Sequence, residues 1–170
     1  MQRIRFGRWE VEVDIEATAA AYARRERGAP EECGCQYCRN FAQARPLIYT
    51  EPVVRLLDSL GVRPIREAET WQNCELRPGV HLYGGFMHAV GRIVSGEDVD
   101  EPVGENATRP RPEPVTPGFR LGFGAEALLV PDGFPRSGLI RIEFDCEVPW
   151  VLAEPYEGPA EERPAPPEST

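Results

Sequence analysis

Three cysteines fall within six residues and form the strongest chemical signal in the sequence: Cys33, Cys35 and Cys38. Residues i and i+2 of an extended segment point to the same side, and residues i and i+3 share one face of a helix. Gly34 has no Cβ, so the backbone between the first two thiols can turn tightly. The spacing therefore brings three soft ligands together without help from distant parts of the chain.

We interpret this cluster as a thiolate metal site that holds zinc. Backbone N–H groups at a helix N-terminus favour the thiolate over the thiol, so a helix that starts near Cys35 would suit such a site. Zinc in structural sites usually takes four ligands, and the cluster supplies three. The expected site is of the Cys3His type and non-catalytic, with these ligands: Cys33, Cys35, Cys38 and His88.

The fourth ligand is expected from one of the chain's two histidines, His81 and His88, which flank the pair Gly84-Gly85 in a predicted strand. On a regular strand an odd and an even position face opposite sides. A bulge at the two glycines would bring both imidazoles to the same face. His88 is preferred because it lies between apolar neighbours, where an unpaired imidazole is costly. Three alternatives stay open: His81, Cys74 and Cys146.

Two enzymatic interpretations of the same cysteines are kept as alternatives. Cys35 and Cys38 form a C-x-x-C pair, which is typical of thiol redox proteins, although a polar segment at 27–32 precedes it instead of a buried strand. A metal hydrolase would need an open position on the metal and a general base, for which Glu32 is the nearest candidate. The sequence contains no H-E-x-x-H motif, P-loop or dinucleotide fingerprint.

The composition restricts the partners. The net charge of −9 over 170 residues argues against nucleic acid and anionic membranes, and it permits a basic protein partner. An acidic interaction module is therefore a further alternative, with the stretch 97–105 as its motif. No apolar run approaches the roughly 20 residues that span a bilayer. The first residues lack a signal-peptide core, so we expect a cytoplasmic, reducing compartment with free or metal-bound thiols.

The hydrophobic periodicity predicts an α+β fold, a mainly antiparallel sheet with two or three helices packed on one side. Helices are expected from Ile15 to about Arg27, from the cysteines to a stop at Pro46, and after Thr50. Strands are expected at 3–6, 9–13, 67–76, 80–91, 119–123 and 140–148. A single domain should cover 1–154, with a long acidic, proline-rich loop at 95–118 and a disordered tail at 155–170.

Three segments together resemble a family of small bacterial proteins that has no established activity. They are the C-x-C-x-x-C-R-N block at 33–40, the Tyr-Gly-Gly-aromatic-x-His segment at 83–88 and the Pro-Trp-Val-Leu ending at 149–152. The resemblance spans the chain from the first hairpin to about Glu154 and implies one intact domain. It also implies that the three clustered cysteines and His88 belong to one site.

Overall fold

A computed structural model describes residues 1–105 and 107–158, which hold four helices and nine strands. The helices are α1 (Ile15–Ala23), α2 (Ala29–Cys33), α3 (Gln36–Ile48) and α4 (Glu51–Ser59). The strands are β1 (Gln2–Phe6), β2 (Trp9–Val13), β3 (Glu69–Arg77), β4 (Val80–Ser95), β5 (Asp100–Pro102), β6 (Thr108–Pro110), β7 (Glu113–Thr116), β8 (Phe119–Gly124) and β9 (Leu139–Pro149). None of the helices in the described part is long and apolar enough to cross a membrane.

The strands form a seven-stranded antiparallel sheet in the order β1-β2-β4-β9-β8-β7, with β3 paired to β4, and a separate β5–β6 pair. The expected α+β class is confirmed, but the described chain has four helices where two or three were expected. The additional helix is α2, which forms in a segment that the sequence predicts to be a polar loop. Its five residues are too short to show a helical apolar period.

The long strand β4 organises the sheet because it pairs along its whole length. It pairs with β9 from Val80 to Val90, and its other edge pairs first with β3 and then with β2. The register with β9 is unbroken, so the expected bulge at Gly84-Gly85 is wrong. The glycines serve close packing instead, since a Cβ at Gly84 would come within 2.7 Å of the Trp71 ring. His81 and His88 therefore point to opposite faces of the sheet.

Two helix ends differ from the expected positions. Helix α1 begins after Asp14, whose side chain accepts a hydrogen bond from the Ala17 N–H at 2.9 Å, but it ends at Ala23. Helix α3 continues past Pro46 to Ile48. Proline removes one backbone hydrogen-bond donor. Because Pro46 lies near the end of the helix, this loss affects only the last turn.

The core lies where one face of the sheet meets α3 and α4. The residues of β8 and β9 that face the core are buried, as expected, and Cys146 belongs to this row. Arg141 and Glu143 on the other face of β9 are buried as well. Phe144 stacks between Phe41 of α3 and Phe119 of β8, at ring-centroid distances of 6.2 and 5.7 Å. The alternation turns Arg141, Glu143 and Asp145 of β9 to the other face.

Of the two segments expected to lack regular structure, the stretch 95–118 is only partly irregular. The stretch 95–118 contains β5, β6 and β7, which are three or four residues long and proline-rich, so no alternation was visible in the sequence. Residues 154–158 fold back onto α3 and β4. The side chain of Gln36 donates to the carbonyl of Pro155 and accepts from the N–H of Glu157, at 2.9 and 3.1 Å. Residues 159–170 of the expected tail lie outside the described residues.

Candidate metal centre

The three clustered cysteines lie at the junction of two helices. Helix α2 ends at Cys33, Gly34 turns the chain in the left-handed region with φ 65°, and Cys35 is the N-cap of α3. Cys38 is in the first turn of α3, as the spacing predicted. The three sulfur atoms all lie within 4.8 Å of one another. Tetrahedral zinc with Zn–S bonds near 2.3 Å needs sulfurs about 3.8 Å apart, so only small adjustments separate this geometry from a filled site.

The start of α3 sets the charge of these thiols. Burial acts to raise the pKa of Cys35, but the Cys38 N–H, which donates to its sulfur at 3.5 Å, and the neighbouring thiols outweigh this and lower the pKa. Burial, together with the nearby sulfurs of Cys33 and Cys35, raises the pKa of Cys38 well above its ordinary value. A bound cation would remove the repulsion between adjacent thiolates and replace the proton of Cys38.

One side of the cluster is open and the other faces the protein. Cys33 and Cys35 are exposed, whereas Cys38 is buried. On the protein side the Tyr83 hydroxyl donates to the carbonyl of Tyr37 at 3.1 Å and so joins β4 to the first turn of α3. The protein side of the sulfur cluster is therefore held against the sheet, and its other side is accessible to solvent.

A buried charge network fixes α2 against α3. The Arg45 guanidinium donates to Glu67 at 2.6 Å and to Glu31 at 3.1 Å, and the Tyr49 hydroxyl donates to Glu67 at 2.6 Å. Ala29, the first residue of α2, donates its N–H to the carbonyl of Glu67 at 3.0 Å. This network sets the position of α2, and with it that of the cysteine at its end. No local pattern in the sequence indicates this network, because Glu67 lies far along the chain from both helices.

The structure does not bring His88 to the cysteines. Its ring is fully buried between Phe86 and Phe134, at centroid distances of 5.6 and 5.9 Å. Burial lowers the pKa of His88 to about 4, and the backbone of Leu128, which acts in the opposite direction, does not offset this. The imidazole is thus a neutral, buried group on the face of β4 that points away from Tyr83.

The three alternative fourth ligands also lie apart from the cluster. The ring of His81 is covered by Tyr156 and Trp150, at 4.4 and 5.3 Å, and its Nδ1 lies 3.3 Å from the Gln72 amide. Cys74 is exposed on β3, and Cys146 is a core residue. Among the described residues, only the three clustered cysteines form a group of three or more such donors within reach of one ion.

Comparison with known proteins leaves the site to be judged by its own geometry. Fold alone would not establish an activity in any case, because one fold hosts many functions. The chain matches no protein-family model, no curated protein and no solved structure.

Proposed function

We propose that this protein is a non-catalytic metal-binding domain that holds one zinc ion through the thiolates of Cys33, Cys35 and Cys38. The observation that carries the proposal is the convergence of three sulfur atoms at the N-terminus of α3. Soft thiolate donors select zinc and copper(I) over hard cations such as magnesium and calcium. The bound ion would join the end of α2 to the start of α3 and stabilise that corner of the fold.

The fourth position on the ion is proposed to face solvent. The exposed sides of Cys33 and Cys35 lead away from the protein, so water or a donor from another molecule can complete the shell. The Cys3His set expected from the sequence would require His88 to leave its site between two phenylalanine rings. We therefore propose the three-cysteine set. We also propose a reducing, cytoplasmic location, in which the three adjacent thiols stay available to a metal.

Metal analysis of protein purified without a histidine tag tests this proposal. We expect about one zinc per chain for the wild type and for Cys74→Ser, which removes an exposed cysteine elsewhere. Cys35→Ser and Cys38→Ser should retain less than a tenth of that content, and a strong chelator should lower the Tm of the wild type. Wild-type protein with less than a tenth of an equivalent, from cells grown with ample zinc, contradicts the proposal.

A second candidate function is thiol–disulfide exchange by Cys35 and Cys38. It is favoured by the exposed thiol of lowered pKa at the helix start beside a buried thiol of raised pKa. The Cys35 thiolate would attack a substrate disulfide and release one substrate thiolate. The Cys38 thiolate would then displace the second substrate thiol, leaving a Cys35–Cys38 disulfide.

Cys33→Ser separates the two functions. Metal binding needs all three thiols, whereas the exchange pair does not include Cys33. A variant that loses zinc but still cycles between a dithiol and a disulfide in a glutathione redox buffer favours exchange. Loss of zinc with no Cys35–Cys38 disulfide at any buffer potential favours the metal site.

The acidic interaction module has less support. Its candidate stretch, 97–105, has acids that are engaged within the chain. Asp100 pairs with Arg141, Glu101 pairs with Arg111 at 2.9 Å, and Asp98 accepts from the N–H groups of Asp100 and Ala125. These carboxylates would have to give up internal partners before they bound a basic protein.

A further inference from the structure

A groove runs along the sheet on the face opposite the core. Its floor is formed by Gly84 of β4 with Glu143 and Asp145 of β9, and its volume is about 710 Å³. One wall is Trp71 of β3, and the other is the segment 109–112, which begins within β6 and continues beyond it. Sites for small molecules usually occupy about 300–1,000 Å³, so the groove has a suitable size for such a ligand.

The Trp71 wall presents a fixed, partly exposed aromatic face. The indole lies against Gly84, where any Cβ would come within 2.7 Å of the ring, and it remains 36% exposed. Its Nε1 donates to the side chain of Asn73 at 3.1 Å, which sets the orientation of the ring. A glycine inside a strand that is paired on both edges lowers stability, and here it leaves the space that the indole occupies.

The floor carries carboxylates that are more buried than surface acids usually are. Glu143 is 7% exposed and lies 3.0 Å from the Nε of Arg141. Asp145 accepts from the Nε of Arg120 at 2.6 Å. Burial raises the pKa of Glu143 to about 7 against the opposing effect of Arg141, and burial also raises the pKa of Asp145. Burying carboxylates is unfavourable unless they are paired or serve a ligand.

Charged side chains of both signs line the groove. Arg109 and Arg120 line the groove together with Glu143 and Asp145, and Arg111 is paired with Glu101 outside the groove. An ion of either sign would therefore meet a like charge as well as an opposite one. A neutral ligand with an apolar face and many hydroxyl groups would use the indole, the carboxylates and the guanidinium groups together.

We propose that this groove is a saccharide-binding site, in which one pyranose ring stacks on Trp71 while its hydroxyl groups donate to Asp145 and Glu143 and accept from Arg120. The site is separate from the cysteine cluster, which lies at the α2–α3 junction on the other side of the sheet. The proposal does not depend on metal binding.

Saturation-transfer NMR with defined sugars tests the site. The probes are glucose, galactose, mannose, N-acetylglucosamine and xylose, followed by cellobiose and maltose, and calorimetry then measures the Kd of the tightest. We expect at least one probe to bind the wild type with a Kd below 10 mM. Trp71→Ala and Asp145→Asn should weaken that binding at least tenfold, and Trp71→Phe should weaken it less than Trp71→Ala does.

Control variants separate a binding defect from a folding defect. Arg55→Ala removes an exposed arginine on α4 that is paired with Glu51, and it should leave the Kd unchanged. Circular dichroism and the Tm report whether each groove variant is folded. If Trp71→Ala does not fold, the conservative variant Asp145→Asn carries the binding test. The proposal is overturned if no probe binds, or if folded Trp71→Ala and Asp145→Asn bind as the wild type does.

Discussion

Glu143 links the groove to the stability of the fold because its carboxyl is buried beside a buried arginine. Its pKa rises from an ordinary 4.5 to about 7. The folded protein therefore holds this proton more tightly than the unfolded chain. The resulting stabilisation is complete below pH 4.5 and is lost as the pH rises through about 7.

We predict that Glu143→Gln removes this pH dependence. The free energy of unfolding of the variant, relative to the wild type, should increase by about 2–3 kcal/mol between pH 5 and pH 8. His88 acts with the opposite sign, because its lowered pKa makes stability fall as the pH drops below 6.5. It is present in both proteins, so its effect cancels in the difference. Urea unfolding at several pH values measures this, and a difference that is independent of pH would contradict the prediction.

The cysteine cluster was predictable from the sequence, whereas its surroundings were not. Cys33, Cys35 and Cys38 meet through a glycine turn and the first turn of a helix, both of which are local. The idea that both strand histidines share one face depended on a bulge in β4, and the unbroken register with β9 excludes that bulge. His88 was preferred for its apolar neighbours, and two phenylalanine rings enclose its imidazole away from the cysteines. The apolar pattern shows that side chains alternate between the two faces of a strand. It does not show whether a bulge interrupts the pairing with the neighbouring strand.

At the scale of elements, the change of partner along one edge of β4 depends on a glycine. Gly91 pairs with Val13 of β2, and a Cβ there would lie 2.2 Å from the carbonyl oxygen of Glu12. That oxygen belongs to backbone, so it cannot move aside without disturbing the pairing of the two strands. The β1–β2 hairpin can join the sheet only because this position has no side chain.

We predict that Gly91→Ala lowers the free energy of unfolding by about 2 kcal/mol or more, because it overpacks the β2–β4 contact. Gly104→Ala is the control, since a Cβ there meets no described atom within 4 Å, and it should change stability by less than about 0.5 kcal/mol. Urea unfolding of both variants gives the comparison. Equal effects of the two substitutions would argue against the close contact at Gly91.

The longer elements were predicted better than the short ones. The first hairpin, α4 and the β8 and β9 strands follow clear apolar patterns, and they formed close to the expected positions. Helix α2 and strands β5 to β7 have three to five residues each, which is less than a pattern needs. Their structure depends on pairing partners: Glu67 for α2, each other for β5 and β6, and β8 for β7.

At the scale of the whole molecule, residues 154–158 tie the end of the described chain to the cysteine-bearing helix. The Tyr37 hydroxyl donates to the carbonyl of Glu157 at 2.9 Å, and the Trp150 indole donates to the carbonyl of Glu154 at 2.8 Å. The Tyr156 ring packs on His81, Trp150 and Tyr37. The segment thus covers an otherwise open edge between α3 and β4.

We predict that Tyr156→Ala lowers the free energy of unfolding by about 2 kcal/mol, since it removes three aromatic contacts and uncovers a buried imidazole. Leu47→Ala removes a side chain of α3 that is mostly exposed, and it should be nearly neutral. Urea unfolding compares the two variants. A neutral Tyr156→Ala would mean that the segment contributes nothing to the stability of the domain.

All three proposed ligands come from one stretch of six residues, 33–38. Closing so short a loop around an ion has a small entropic cost, and it does not require β4 or β9 to exist. During synthesis the N-terminal part of a chain leaves the ribosome first. Zinc could therefore be captured by the nascent polypeptide and organise the α2–α3 corner before the strands on which that corner later packs have been made.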